Sequence, residues 1–393
     1  MTSPYPAVKD EAKRLQEKIR LLEQSQKNKD RLAYWNLEDA AKDALARPVP
    51  KKGVCPFTVE LDRVGFARVL GFSLVDFSND PECYLINSLR ITAFRFEEFR
   101  DCTPISKTVA YFAGSGFEKS LFGGEQVITE EEVWVDRENA IKERVDLSQL
   151  EIPDFFENRV MKFTHTFCQR MQELLDDDFT VEFPQWNRSA FGVAWHLRGI
   201  DGLLMDAFED PEWFCGFLRF INQARMQWSD QRQKFLNVKK MPCSLYNDEV
   251  GVPVLSPELY REFVLPSEKE IGAYYGGINY WHSCGDTTPL FKDINTIPNL
   301  SMVHVGGWSD EKVAMRDLSP DKAVQKSMRP YDEIIGALDR AAMRRRLVEI
   351  KENLAGRLMS VSADALQVVN SCKQDMAALK VWIDQANDIL LDQ

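Results

Sequence analysis

A histidine and a cysteine stand two residues apart at the end of an apolar, aromatic segment. The segment reads Gly277-Ile278-Asn279-Tyr280-Trp281-His282-Ser283-Cys284-Gly285, which predicts a buried strand that Gly285 ends. Side chains two apart along a strand point the same way, so His282 and Cys284 are expected to project together. Imidazole and thiolate are preferred zinc ligands, and the pair therefore predicts a metal site. The alternative is a buried histidine beside an ordinary core cysteine.

His304 is the third predicted metal ligand and one of only four histidines. It lies at the end of the next predicted strand, residues 300–305, and adjacent strands are about 5 Å apart. It is therefore within reach of a metal held by His282 and Cys284. A structural role or a substrate contact is the alternative. His165 and His196 fall inside predicted helices and are expected to be structural.

An acidic turn, Asn247-Asp248-Glu249, ends the preceding predicted strand. We predict Asp248 and Glu249 as catalytic: a carboxylate here can bind metal, act as a general base or orient His282. Alternate residues of a strand point in opposite directions, so only one of the two can face the site, and Asp248 is favoured. Asn247 is predicted to bind substrate. The alternative is a solvated acidic loop.

Another polar group, Trp186-Asn187-Arg188, ends the predicted strand at 179–183. Together with Trp281 these residues are predicted to line the substrate pocket. For the two tryptophans, core packing is the alternative.

Predicted strands and amphipathic helices alternate from residue 105 onward. This pattern predicts an α/β fold, a (β/α)8 TIM barrel over 105–393, with residues 1–104 as an N-terminal helical extension packed on it. Helices are expected over 7–47 and twice within 57–101, the second capped by Asp80. Thr287 or Thr288 should cap the helix after Cys284. A stripe of Leu15, Ile19 and Leu22 should pack on the barrel or on another subunit, as in a homodimer.

Composition excludes several classes of partner. The 393-residue chain has a net charge of −12, which argues against nucleic acid and anionic membranes. The sequence does not open with a basic segment followed by an apolar core, and it has no run of 18 apolar residues, so neither secretion nor membrane spanning is expected. Eight cysteines without a Cys-x-x-Cys pair suit reduced thiols. A cytoplasmic protein is expected.

These motifs resemble the uroporphyrinogen decarboxylase superfamily, and most closely its branch of cobamide-dependent methyltransferases. The likeness runs from Asp76 to about Ile383 and rests on residues 197–199, 203–212, 247–248, 255–266 and 282–289. It implies a (β/α)8 barrel and, for the methyltransferases, zinc bound by His-x-Cys and a later Cys. It also implies that a corrinoid (cobalamin) arrives on a partner, a corrinoid carrier protein. The carrier motif Asp-x-His-x-x-Gly is absent here, because Ala194 replaces its Asp before His196.

Two departures narrow the function. The chain lacks the arginine-rich N-terminal motif of the porphyrin decarboxylases, so porphyrinogen decarboxylation is not expected. The segment 358–364 lacks the later Cys, and Cys372 lies beyond it. With one thiolate fewer, zinc is a stronger Lewis acid, suited to polarising a methyl ether oxygen while cob(I)amide attacks the methyl carbon.

The sequence therefore predicts an O-demethylase-type methyltransferase acting on a small methylated substrate, with aromatic methyl ethers as one class of donor. The alternatives are a non-porphyrin decarboxylase or lyase, using Arg188 or Arg329 to hold a carboxylate, and a non-catalytic barrel that binds a corrinoid protein.

Overall fold

The computed structural model describes residues 5–37, 48–136, 138–336 and 339–391. The strands in these residues are β1 (Trp35–Asn36), β2 (Val49–Pro50), β3 (Phe57–Leu61), β4 (Thr108–Ala110), β5 (Gln126–Ile128), β6 (Val133–Val135), β7 (Thr180–Glu182), β8 (Cys243–Tyr246), β9 (Ile278–His282), β10 (Met302–Val305), β11 (Ala323–Ser327) and β12 (Met359–Leu366).

The α-helices in the same residues are α1 (Tyr5–Glu23), α2 (Gln26–Leu32), α3 (Arg63–Leu70), α4 (Leu74–Asn79), α5 (Pro81–Glu98), α6 (Phe117–Leu121), α7 (Arg159–Gln172), α8 (Ala190–Arg198), α9 (Ile200–Glu209), α10 (Pro211–Leu236), α11 (Pro257–Leu259), α12 (Leu265–Tyr275), α13 (Phe291–Ile294), α14 (Glu311–Asp317), α15 (Arg340–Asn353) and α16 (Cys372–Ala386). Short 3-10 turns span Leu147–Gln149 and Thr288–Leu290, and π-helical turns span Tyr260–Val264, Pro330–Ile335 and Asn387–Leu391.

Six parallel strands form the main sheet in the order β3-β12-β11-β10-β9-β8. The pair β4-β7 is also parallel, and a single bridge between Arg188 and Tyr246 joins it to β8. Because β3 pairs with β12, the sheet curls back towards its start. The expected closed barrel is corrected in one respect: the ladders among the described residues leave β3 and β4 unjoined. The result is a TIM-like, half-barrel α/β fold.

Strand β3 lies inside the segment predicted as a helical extension. Its alternating sequence, Phe57-Thr58-Val59-Glu60-Leu61, is a period-two strand pattern. The prediction of two helices within 57–101 omitted this strand, whereas α3, α4 and α5 fill the rest of the range. Asp80 caps α5 as expected by accepting from the amides of Glu82 and Cys83. The division of the chain at residue 104 stays a prediction.

Strand side chains alternate between two environments. Phe57, Val59 and Leu61 pack into the core between the sheet and its helices, and Phe57 meets Trp382 of α16 edge to face at 5.6 Å. Thr58 and Glu60 consequently face the concave side of the sheet. The same alternation holds along β12, so the concave face and the helix-side core are separate surfaces.

The N-terminal helices pack on the same chain. Leu15 and Ile19 of α1 are buried in a second apolar cluster with residues of α5 and α7, and Leu22 packs at its edge. Of the helix predicted over 7–47, the structure has α1 and α2 followed by β1, and residues 38–47 lie outside the described residues. None of the helices described is long and apolar enough to cross a membrane.

Phe57 provides a test of the place of β3 in the core. Replacing it with alanine removes a side chain that is 0% exposed and contacts the last helix. Phe57→Ala should lower the free energy of unfolding by about 3–5 kcal/mol, measured by urea denaturation. Phe208→Ala, at a position 71% exposed, is the control and should change it by less than about 0.5 kcal/mol. Equal effects of both substitutions would contradict the placement of β3.

Candidate functional site

Three potential ligand atoms converge where β8 and β9 end. His282 Nε2 lies 3.1 Å from Asp248 Oδ1 and 3.2 Å from Cys284 Sγ, and ligand atoms of all three residues lie within 4.8 Å of one another. The ladder register explains the meeting, because Tyr246 of β8 pairs with His282 of β9. Asp248 and Cys284 follow these strand ends in adjacent loops. Parallel strands thus bring a carboxylate, an imidazole and a thiol to one point.

The hydrogen bond at Nδ1 determines the tautomer of His282. The Tyr280 hydroxyl donates its proton to Gln325 Oε1 at 2.6 Å, and it lies 3.2 Å from His282 Nδ1. With its proton committed, the Tyr280 oxygen acts as an acceptor, so Nδ1 of His282 carries the hydrogen. Nε2 then faces Asp248 Oδ1 and Cys284 Sγ. A histidine oriented in this way by its second nitrogen is the usual arrangement in metal sites.

The donor set fits a zinc ion. Nitrogen, sulfur and carboxylate oxygen are all zinc ligands, and three protein ligands leave one position for substrate in catalytic zinc sites. His282 is 9% exposed, whereas the side chains of Asp248 and Cys284 keep some access to solvent although protein surrounds both of them. An ion in this position would therefore be accessible from the concave side of the sheet.

Two groups of the cluster, the Asp248 carboxyl and the Cys284 thiol, have shifted pKa values. Burial alone would raise the pKa of Asp248, but His282 and Arg188 hold this pKa well below its ordinary value. Burial raises the pKa of the Cys284 thiol, and the carboxylates of Asp248 and Asp364 raise it further. The site is therefore anionic before the thiol ionises.

His304 stands next to the three converging groups. Its ring centroid is 4.1 Å from that of His282, and its Nδ1 donates to the Ser283 carbonyl at 2.8 Å. Its Nε2 is buried without a hydrogen-bond partner. Burial and the neighbouring His282 lower the pKa of His304, so the ring is neutral. Its role as a metal ligand stays a prediction, since Asp248 takes the third place in the cluster.

Glu249 turns away from the cluster, as expected for the neighbour of Asp248. Its carboxylate contacts the Arg188 guanidinium and lies 2.7 Å from His196 Nε2. Arg188 also lies 3.8 Å from Asp248, so it links the two carboxylates. A Cβ at Gly192 would meet Glu249 Oε2 at 2.4 Å, which explains glycine at this helical position. His196, predicted as merely structural, thus supports Glu249.

The two tryptophans do not line the site, which corrects the expectation for Trp186 and Trp281. Trp281 is buried on the helix side of β9, because strand alternation sends it opposite to His282. Trp186 packs in the core against Phe122 and Trp228.

Asn187 and Asn247 contribute main-chain hydrogen bonds at the strand ends. The Asn187 carbonyl accepts from Tyr246, and the Asn247 amide donates to the His282 carbonyl at 2.7 Å. Both residues therefore fix the strand ends that carry the cluster. Their predicted substrate contacts stay predictions.

The loops that carry the cluster are tied to each other. Ser283 Oγ donates to the Val250 carbonyl at 2.6 Å, joining the Cys284 loop to the Asp248 loop. Lys326, buried on the outer side of β11, donates to the carbonyls of Gly306 and Ser309. Burial lowers the pKa of Lys326 to about 8. Because the Ser309 hydroxyl accepts from the Thr287 amide at 2.9 Å, Lys326 supports the Cys284 loop from behind.

The expected threonine cap after Cys284 is absent. Neither Thr287 nor Thr288 caps the following 3-10 turn through its side chain. Thr287 instead places its hydroxyl 3.1 Å from that of Ser309, which holds two loops of the site together.

Three residues of the site were not predicted from the sequence. Tyr280 and Gln325 orient His282, and Asp364 near the end of β12 accepts from the hydroxyls of Ser327 at 2.7 Å and Ser362 at 3.2 Å. The parity of Tyr280 with His282 was a signal for the first residue. Asp364 stands where β12 shifts register against β3, between Ala363 and Leu366, and such bulges commonly re-aim side chains near active sites.

Comparisons with known proteins give a likeness of fold. No protein-family model matches the chain, and no curated protein sequence matches it. Among solved structures, a methyltransferase from Methanosarcina mazei is similar, with a TM-score of 0.61 and 14% sequence identity. The match covers 91% of this chain and 98% of that one. At this identity the likeness establishes the shared architecture.

A buried carboxyl behind β9 gives a pH prediction. Tyr260 and Trp281 donate to one oxygen of Glu268, and burial raises the pKa of Glu268 to about 7 from an ordinary 4.5. Between these values the folded protein retains a proton that the unfolded chain has released. The free energy of unfolding therefore falls as pH rises through this window.

Glu268→Gln replaces the carboxyl group with an amide that stays neutral at every pH. The fall in the free energy of unfolding with rising pH should therefore disappear. We expect the variant to be more stable than the parent by about 2–3 kcal/mol at pH 8, with the difference shrinking towards zero near pH 4. Urea unfolding at the two pH values measures this. A difference independent of pH would show that Glu268 titrates normally.

Proposed function

We propose that this protein is a corrinoid-dependent methyltransferase of the O-demethylase type. It takes a methyl group from a small methylated donor, with aromatic methyl ethers as one class, and transfers it to a corrinoid carrier protein. The convergence of Asp248, His282 and Cys284 at the ends of parallel strands carries the proposal. The similar fold of a methyltransferase supports it. So does the sequence resemblance to the cobamide-dependent branch of the uroporphyrinogen decarboxylase superfamily, whose (β/α)8 barrel we propose for this chain.

His282, Cys284 and Asp248 would hold a zinc ion, with His304 as a fourth candidate ligand. Zinc supplies Lewis acidity towards the ether oxygen of the donor, which makes that oxygen a better leaving group. One thiolate and one carboxylate donate less electron density to zinc than several thiolates do. The zinc ion is therefore a stronger Lewis acid here than in a thiolate-rich site. This favours an oxygen-bonded methyl group over a thiol substrate.

The protein residues position the reaction. Tyr280 and Gln325 keep the His282 Nε2 lone pair directed at the site, and Arg188 neutralises part of the charge around Asp248. A corrinoid on the carrier protein would supply the nucleophile for the methyl carbon, and the ether oxygen would leave with the electron pair of the broken methyl–oxygen bond. Rigid strand ends hold the donor in line for that exchange.

The rim of the site is suited to a protein partner. Large apolar side chains are exposed on loops that follow five different strands: Phe112 after β4, Val254 after β8, Trp308 after β10, Tyr331 after β11 and Val369 after β12. Exposed apolar groups around one opening are typical of docking surfaces. A carrier that brings cobalt to the donor must cover this opening, so we assign the rim to the corrinoid protein.

Zinc binding gives the first test of the proposal. The parent protein should bind one zinc ion, and His282→Ala, Cys284→Ala and Asp248→Ala should each abolish stoichiometric binding. Tyr280→Phe, which removes the acceptor for His282 Nδ1 together with the hydrogen bond to Gln325, should weaken affinity about 10–100-fold. Elemental analysis and competition with a chromophoric chelator measure these effects.

Cys372→Ser, at a half-buried thiol on α16, is the control for the cysteine variant and should bind zinc like the parent. Circular dichroism checks that each variant is folded. Full zinc occupancy in folded Cys284→Ala would refute the ligand assignment.

Methyl transfer gives the second test. Anaerobic mixing with a corrinoid carrier protein in its cob(I)amide state and a methyl ether should produce the absorption spectrum of methyl-cob(III)amide. His282→Ala should slow this by at least about 100-fold, since the Lewis acid is lost, whereas Cys372→Ser should not. Release of carbon dioxide from a carboxylated substrate would favour a lyase instead. Carrier binding without either reaction would favour a non-catalytic barrel.

A further inference from the structure

A second cavity lies in the N-terminal half of the chain, apart from the metal-ligand cluster. Its walls come from α4, α5, α7, the segment after β4 and the hairpin β5-β6, and it shares no residue with the cluster. Its volume is about 90 Å³. The exposed side chains of Phe112 and Phe163 belong to the lining, so the cavity reaches the surface beside them.

Aromatic side chains form much of the cavity wall. Phe77 and Tyr84 stack with their ring centroids 4.3 Å apart, and Tyr84 meets Tyr111 at 5.2 Å and 66°. A closed apolar cavity of about 150 Å³ is enough to bind benzene. The cavity here is smaller but open on one side, so a single aromatic ring can enter it with one edge left in the solvent.

Two buried hydroxyl groups of the lining have no partner among the described residues. Thr164 of α7 is fully buried, and its Oγ1 makes no hydrogen bond. Tyr111 is also buried, and its hydroxyl makes none either. Tyr84 shows the usual arrangement, because its hydroxyl donates to the Ala110 carbonyl and accepts from the Phe112 amide, each at 2.8 Å. Since buried hydroxyls are normally hydrogen-bonded, the two unpartnered ones indicate a ligand with a hydrogen-bonding group.

The charges around the cavity favour a neutral ligand. Arg63 is the one charged side chain among the described residues of the lining. Its guanidinium lies 5.1 Å from the centre of the Phe112 ring and 3.6 Å from Glu60, which matches its charge. An ionic ligand would therefore lose its hydration without gaining an unpaired opposite charge.

The hairpin β5-β6 closes one side of the cavity and is tied to its other walls. The Glu130 carboxylate accepts from the Ser73 hydroxyl at 2.6 Å and from the Leu74 amide at 2.8 Å, which joins the hairpin to the start of α4. Gln126 Nε2 donates to the Ala113 carbonyl at 2.9 Å and joins β5 to the segment after β4. The cavity is therefore preformed, which reduces the entropy lost when a ligand binds.

We infer that this cavity is a second ligand site, which binds a small neutral molecule with one aromatic ring and one hydroxyl group. The ring packs against Phe77 and Tyr84, and the hydroxyl group pairs with Tyr111 or Thr164. The site is separate from the metal-ligand cluster, so the inference goes beyond the proposed function and does not depend on it.

Phenol is the probe, and toluene and cyclohexanol are the comparison molecules. Toluene has the aromatic ring without the hydroxyl group, whereas cyclohexanol has the hydroxyl group on a saturated ring. The full-length protein should bind phenol at least about fivefold more tightly than cyclohexanol, because an aromatic wall favours a flat ring. Ligand-observed NMR titrations measure each Kd.

The double variant Tyr111→Phe/Thr164→Val removes both unpartnered hydroxyl groups and keeps the shape of the cavity. It should bind phenol at least about fivefold more weakly than the parent and should change toluene affinity by less than about twofold. Thr166→Val is the matched control on the same helix, since Thr166 is exposed and donates to the Lys162 carbonyl at 3.1 Å. It should leave both affinities unchanged. Thermal unfolding shows that the variants are folded.

The metal-ligand cluster is the competing location for phenol. His282→Ala should leave the phenol affinity of the cavity unchanged. Loss of phenol binding in His282→Ala, with parent-like binding in the double variant, would place the phenol at the cluster and overturn the inference. Equal affinities for phenol and cyclohexanol, or no binding of phenol by the parent protein, would overturn it as well.

Discussion

Three potential metal-ligand groups meet at one point in this fold, an arrangement that a bound cation would stabilise further. His282 Nε2 lies little more than 3 Å from a carboxylate oxygen of Asp248 and from the sulfur of Cys284. Hydrogen bonds link the three groups, and the surrounding structure fixes the point at which they meet. The main-chain bond from Asn247 to the His282 carbonyl and the side-chain bond from Ser283 to Val250 supply that support.

The polar residues around the cluster have different roles. Tyr280 and Gln325 determine which nitrogen of His282 is free, whereas Arg188, Glu249 and His196 form a buried ionic group on the opposite flank. The concave face beyond His282 contributes hydroxyls and the Asp364 carboxylate. A parallel sheet can combine these tasks because its strands end on one side, where each loop adds one or two residues. Chemistry at this end does not disturb the apolar packing on the helix side.

Strand alternation and turn composition predicted the three residues of the cluster better than the residues that surround them. Strand alternation brought His282 and Cys284 together, and the acidic turn after the preceding strand supplied Asp248. The same alternation places Trp281 on the helix side, a consequence that the prediction of pocket tryptophans overlooked. Gln325 lies 45 residues from Tyr280, and only the register of β9, β10 and β11 makes them neighbours. The period-two pattern of β3 was readable, but its pairing with β12, some 300 residues away, depends on the curl of the whole sheet.

X-ray absorption at the zinc edge of the purified protein tests the central claim most directly. One sulfur at about 2.3 Å, together with nitrogen and oxygen neighbours at about 2.0–2.2 Å, is the result expected from Asp248, His282 and Cys284. The zinc-edge signal should be lost from Cys284→Ala, which is expected not to retain stoichiometric zinc, and the parent spectrum should persist in Cys372→Ser. Two or more sulfur neighbours, or none in the parent protein, would contradict the assignment of these three residues as the metal site.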